Sequence, residues 1–107
     1  MTFNVLIMAH ASDADWRQHQ SFIDTGSYHL FTVVVKDQDE ALAVAKAWLE
    51  KHNIQSILLC PGFTHGNVAE LFQSLGGKVS VAVARGDGPS SQISTKARLA
   101  AHNLQNK

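Results

Sequence analysis

Residues 28–60 read YHLFTVVVKDQDEALAVAKAWLEKHNIQSILLC. The stretch holds a β-branched run from Thr32 to Val35, a helix, and a second apolar run from Ile54 to Cys60. Asp37 and Glu40 stand at capping-box spacing, which starts the helix. Ala41, Val44, Ala45, Trp48 and Leu49 repeat at three and four residues and share one helical face. Asn53 ends it. A connection of this length crosses a sheet, so the two flanking strands are expected to run parallel.

The flanks extend the pattern. Phe3 to Ala9 is apolar on both parities, which predicts a strand covered on both faces. Between it and Tyr28, Ser12 or Asp13 is expected to cap a helix anchored by Trp16, Phe22 and Ile23. Thr25, Gly26 and Ser27 then mark a turn. After Cys60, Pro61 and Gly62 stop the strand and Thr64 is expected to cap a helix carrying Val68, Leu71, Phe72 and Leu75, ended by Gly76 and Gly77. Lys78 to Arg85 reads as the fourth strand and residues 86–91 as a polar loop. A last helix, capped near Ser94, would place Ile93, Ala97, Ala100, Ala101 and Leu104 on one face. The alternation predicts an α/β fold: a small doubly wound, flavodoxin-like parallel sheet of four strands in order 2-1-3-4. Helices are expected on both faces, and residues 1–107 as a single domain.

Composition narrows the function classes. Hydrophobic residues make up 45% of the chain and charged residues 17%, which is globular. Nine basic residues balance nine acidic ones, so the phosphate-neutralising footprint of a nucleic-acid binder is absent. The single cysteine, Cys60, excludes an internal disulfide and any multi-cysteine zinc site. The run Val5 to Ala9 is too short for a signal or spanning helix, and a cytoplasmic location without a membrane partner is expected. There is no Gly-x-Gly-x-x-Gly and no Gly-x-x-x-x-Gly-Lys-Ser/Thr, which excludes the usual nucleotide-binding loops. A receiver domain would need a carboxylate where Cys60 stands, and a cysteine phosphatase an arginine where Gly66 stands.

In an open parallel sheet, ligands bind beyond the C-terminal strand ends, at the switch in strand order. Here that switch falls between the first and third strands. The residues past those ends include His10, the stretch from Cys60 to Asn67, and Arg85 to Gly88. Cys60, His10 and His65 are the candidate catalytic residues. Cys60 precedes a helix N-terminus, whose partial positive charge favours a thiolate, or else it is a small core hydrophobe. His10 and His65 are a base and an orienting donor, or exposed loop histidines. Gly62, Phe63, Thr64, Gly66, Asn67, Arg85, Asp87 and Gly88 are the candidate ligand-binding residues. Arg85 and Asp87 either pair with each other or divide between holding an anion and orienting a histidine. A metal site from His10, Cys60, His65 and Asp87 follows no known spacing, and the cofactor is left open.

Nearly the whole chain resembles a family of short bacterial and archaeal proteins known only as a domain of unknown function. Two places carry the likeness. One is the third strand ending in Cys60, followed by Gly62 and Phe63 and a helix beginning Gly66-Asn67-Val68-Ala69. The other is Lys78 to Val83 followed by Arg85, Asp87 and Gly88. Relatives carry Cys-Gly-Gly-Phe at the first place and an aromatic residue in the position of Gly86. The resemblance implies a compact α/β fold and the same two loops, without an activity. The loop from Cys60 into its helix is also similar in layout to the active loop of a single-domain rhodanese, without that family's Gly-His-Ile-Pro-Gly-Ala segment.

Three functions follow as expectations. The first is a site for a small anionic metabolite at the sheet's C-terminal edge, serving a cysteine/histidine lyase, isomerase or hydrolase. The second is a non-catalytic module binding the same class of ligand, and the third a rhodanese-like sulfur-handling protein. A homo-oligomer is expected to be open to any of them, with Tyr28 to Val35 as a free sheet edge.

Overall fold

The computed structural model describes residues 1–105, with side chains described as far as His102. The chain runs β1 (Phe3–His10), β2 (Gln20–Asp24), β3 (Tyr28–Val35), α1 (Gln38–His52), β4 (Ser56–Leu59), α2 (His65–Ser74), β5 (Ser80–Val83) and α3 (Gly88–Gln105). The strands form one mixed sheet in the order β2-β3-β1-β4-β5. Its four parallel members, β3-β1-β4-β5, take the expected 2-1-3-4 order. No helix among the described residues is long and apolar enough to cross a membrane.

The expected helix before β3 is instead β2, which pairs antiparallel with β3 and makes the sheet five-stranded. The reason is local. Around Trp16 the three- and four-residue positions, His19 and Gln20, are polar, so no helical face exists to bury. Phe22 gains more as a cross-strand partner of Phe31, with the two rings stacked at 4.6 Å between centroids. The three-residue link Thr25-Gly26-Ser27 turns the hairpin, with Gly26 at φ 101. Tyr28–Val35 is therefore an inner strand, and β2 takes the edge expected there.

Burial shows which face carries the core. Leu6 and Met8 of β1, Phe31, Val33 and Val35 of β3, and Ile57 and Leu59 of β4 are buried beneath Ala41, Val44, Ala45 and Trp48 of α1 and Leu71 of α2. The Asp37 carboxylate accepts the Glu40 N–H at 2.9 Å, the cap expected for α1, and Asn53 closes that helix at φ 52. The expectation of helices on both faces is not met. Both α1 and α2 lie on the Leu6 face, and among the described residues α3 packs on no strand or helix. β1 is apolar on both parities because its central place in the sheet shields its other face sideways: Val5 is buried between Leu30 and Ser56 on the neighbouring strands.

The last helix begins at Gly88, six residues before the expected cap at Ser94, and absorbs most of the expected loop. Proline at its second residue, Pro89, suits a helix start, because the first-turn N–H groups have no intrahelical partner. Ile93, Ala97, Ala100 and Ala101 do lie along it, exposed; the side chain of Leu104 is outside the described residues.

Burial also sets an order of mutational cost. Leu6→Ala removes a fully buried side chain from the central strand and is expected to cost about 2–5 kcal/mol. Ile23→Ala, at 54% exposure on β2, should cost under about 1 kcal/mol. Urea denaturation of the two variants measures the contrast, and equal costs would contradict the assignment of the core to one face.

Candidate functional site

β1 and β4 are neighbours and run parallel, so His10 and Cys60 leave the sheet side by side. The chain passes from β1 to one side of the sheet and later returns to the other, which puts the switch between these two strands. A cleft of about 630 Å³ opens there. Ala9, His10, Cys60, Pro61 and Gly62 form one wall, Arg85, Gly86 and Asp87 the corner, and α3 the other wall through Ser90, Ser91, Ser94, Thr95 and Arg98.

The first wall is built by a turn. The Phe63 N–H donates to the Cys60 carbonyl at 3.2 Å across Pro61 and Gly62. Phe63 is buried and meets the His10 ring edge to face at 4.8 Å. Gly62 is there because His10 is: a Cβ on residue 62 would fall 2.6 Å from His10 Nε2. Cys60 is half-buried beside them, and no hydrogen bond joins its thiol to His10. A preformed thiol–imidazole pair is absent among the described residues.

The corner is held by Arg85. One guanidinium nitrogen donates to the Phe63 carbonyl at 3.2 Å and the other meets His65 Nδ1 at 3.1 Å. A guanidinium has only donors, so His65 Nδ1 is the acceptor and its proton sits on Nε2. His65 therefore positions Arg85 and does not line the cleft. The arginine keeps further N–H groups for a ligand. At Gly86 the chain turns with φ 79, and a Cβ would lie 2.7 Å from Ser91 Oγ. Asp87 forms no ion pair with Arg85; its carbonyl accepts from the Ser91 N–H at 2.9 Å and the Ser91 hydroxyl at 3.2 Å.

Of the residues picked from sequence, the cleft brings together His10, Cys60, Gly62, Arg85 and Asp87. Phe63 supports them from the core. Thr64 and Asn67 bond each other reciprocally as the capping box of α2, at 2.8 and 3.1 Å, and serve the helix end. Gly66 and Gly88 lie in the first turns of α2 and α3, outside the lining. No group of three or more His, Cys, Asp or Glu side chains among the described residues is placed to hold a metal ion. Sequence reasoning missed Ser90, Ser91, Ser94, Thr95 and Arg98. Their spacing of four residues puts them on one helical stripe, legible only once the helix is started at Gly88.

The sequence profile of a family of unknown function (DUF6506) matches residues 2–98. The chain belongs to that family. The match runs from before β1 to Arg98, so the DUF6506 region contains every residue lining the cleft. No curated protein and no solved structure matches the chain. A second groove, of about 580 Å³, lies at the opposite rim of this DUF6506 sheet. In it the Thr2 hydroxyl donates to Asn4 Oδ1, Asn4 Nδ2 donates to the Asn53 backbone carbonyl, and His29 meets Asp24, outside the lining, at 3.2 Å.

The packing at residue 62 makes a specific prediction. Gly62→Ala should push the exposed His10 ring off Phe63 with a stability loss of under about 1 kcal/mol, because a surface ring has room to rotate. The His10 ring proton resonances should lose the ring-current shift of Phe63. An unchanged His10 spectrum would contradict the contact.

Proposed function

We propose that the cleft binds a small anionic metabolite, with Arg85 and Arg98 as its charge partners. The observation that carries this reading is the fixed guanidinium of Arg85, held by the Phe63 carbonyl and His65 at the rim of the cleft. Fixing a long side chain beforehand lowers the entropy cost of holding a ligand, and arginine matches carboxylate and phosphate with paired donors. Two guanidinium groups face one carboxylate, Asp87, and the stripe of hydroxyls on α3 supplies further donors. Asp87 and the apolar wall of Ala9 and Pro61 favour a metabolite with a polar or cationic part besides its anionic end.

Binding without covalent chemistry is the form best supported, because the Cys60 thiol has no basic partner in hydrogen-bond reach. The enzymatic alternative rests on the half-buried thiol opening into the same cleft as His10; substrate arrival would have to bring the two together. A rhodanese-like role has less support. The Phe63 N–H in that loop is spent on the turn, and Thr64 and Asn67 on the capping box, whereas a persulfide cradle needs such groups free. A cytoplasmic location belongs to the same reading and draws on the lone free cysteine.

Thermal-shift and calorimetric titration with inorganic phosphate, phosphorylated three-carbon acids and small dicarboxylates test it. At least one of these anions should stabilise the protein. Arg85→Ala should weaken that binding about 10- to 100-fold, whereas Cys60→Ala should leave it intact. Failure of every anion to bind, or indifference to Arg85→Ala, would contradict the proposal. Loss of binding in Cys60→Ala with rapid alkylation of the native thiol would favour the enzymatic form instead.

A further inference from the structure

Arg85, Asp87 and Arg98 line the cleft at the C-terminal rim, and no ion pair joins any two of them. Elsewhere the chain does pair exposed charges, Lys36 with Glu40 and His29 with Asp24. Arg85 spends its guanidinium on the Phe63 carbonyl and His65 instead of on Asp87, two residues away. Asp87 stands just before α3, where an acidic side chain ordinarily caps a helix. Its backbone carbonyl bonds Ser91, but among the described residues its carboxylate accepts no hydrogen bond. Among the same residues the Arg98 guanidinium has no hydrogen bond or ion pair either. α3 carries no Asp or Glu, so no residue one turn away can pair with Arg98.

We infer that the ligand of this cleft is an amino acid with a second anionic group, its anions held by Arg85 and Arg98 and its ammonium by Asp87. The inference rests on the anion-binding function proposed above and narrows the class of ligand. A molecule that neutralises two guanidinium groups and one carboxylate carries two negative groups and one positive. A simple dicarboxylate satisfies both arginines but sets its own charge against Asp87, a repulsion that a partly desolvated cleft strengthens. A monoanion leaves one guanidinium unused.

The three charges are also unevenly placed. Arg85 and Asp87 flank Gly86 at the corner of the cleft. Arg98 lies ten residues after Gly88, the first of α3, about 15 Å along the helix axis. Helical side chains lean towards the N-terminus, so the Arg98 side chain returns part of that distance. One anion and the ammonium are therefore called for side by side, as on an α-carbon. The second anion stands apart, as at the end of a side chain. Between the two ends, Ser91, Ser94 and Thr95 offer hydroxyls and Ala9 and Pro61 offer apolar surface to the carbon skeleton. An α-carbon whose carboxylate, ammonium and side chain meet three different groups is read for handedness.

Calorimetric titration of the full chain with L-glutamate, L-2-aminoadipate and O-phospho-L-serine tests the inference against analogues that lack one group. Glutarate lacks the ammonium, and L-2-aminobutyrate lacks the second anion. At least one of the three amino acids should bind below about 1 mM, about ten-fold or more tighter than either analogue and than its own D enantiomer. Arg85, Asp87 and Arg98 are exposed, so Asp87→Asn and Arg98→Gln should keep the native circular dichroism spectrum. Asp87→Asn should weaken the amino acid about ten-fold yet strengthen glutarate, a reversal that a structural role would not give. Arg98→Gln should bring the amino acid down to the affinity of L-2-aminobutyrate. Glutarate or inorganic phosphate bound through Arg85, with no gain from an ammonium, overturns the inference and leaves the anion cleft standing. Binding of none of these compounds overturns both. Equal affinity for the two enantiomers, or an Asp87→Asn variant that treats amino acid and diacid alike, removes the three-point contact and the inference with it.

Discussion

Parallel pairing of β1 between β3 and β4 is the constraint on which the remainder depends. It seats Leu6 and Met8, both fully buried, at the centre of the helix-covered face. It also aligns the C-terminal ends of β1 and β4, so His10 and the Cys60 turn leave on the same rim. A register slip of one residue would exchange the two faces of β1, putting Val5 and Ile7 under α1 and the buried Asn4 on the open side. Asn4 resists that slip. Its side chain is tied to Asn53 and Thr2, and its N–H donates to the Gln55 side chain at 3.0 Å. The pairing holds the fold and the site together.

The parallel order was legible because its signals are local and strong. Capping-box spacing at Asp37 and Glu40, a helical face from Ala41 to Leu49, and β-branched runs on either side leave little choice of topology. What was misread lies where local signals are weak or shared. Phe22 and Ile23 are adjacent, which suits neither a helical face nor a half-buried strand in isolation; only the stacking partner Phe31 settles it. At the other end, Ser94 resembles a helix cap, but Pro89 starts the helix earlier. That shift hid the hydroxyl stripe and Arg98. The chemistry from Cys60 to Asn67 divided for a different reason. One letter of sequence does not say whether Thr64 faces a ligand or its own helix, and the free N–H of residue 67 decided for the helix.

The two walls of the cleft differ in how they are held. The wall of His10, Pro61 and Gly62 rests on buried Phe63, and Arg85 is braced by a carbonyl and an imidazole. The α3 wall is tied at its base by the Gly86 turn and the bonds from Ser91 to Asp87. A site made from one braced wall and one unbraced wall responds to whatever engages the second.

Cys60 is the only cysteine, so a spin label attached to it reports directly on what surrounds the rim. Paramagnetic broadening should be strongest at the amides of Ala9, His10, Gly62, Arg85 and Asp87 and should reach Ser91 and Ser94. Thr2 and Asn53, at the opposite rim, should keep their intensity. Sharp His10 and Arg85 resonances beside a broadened Asn53 would mean that the three segments do not share an edge, and the site would go with them.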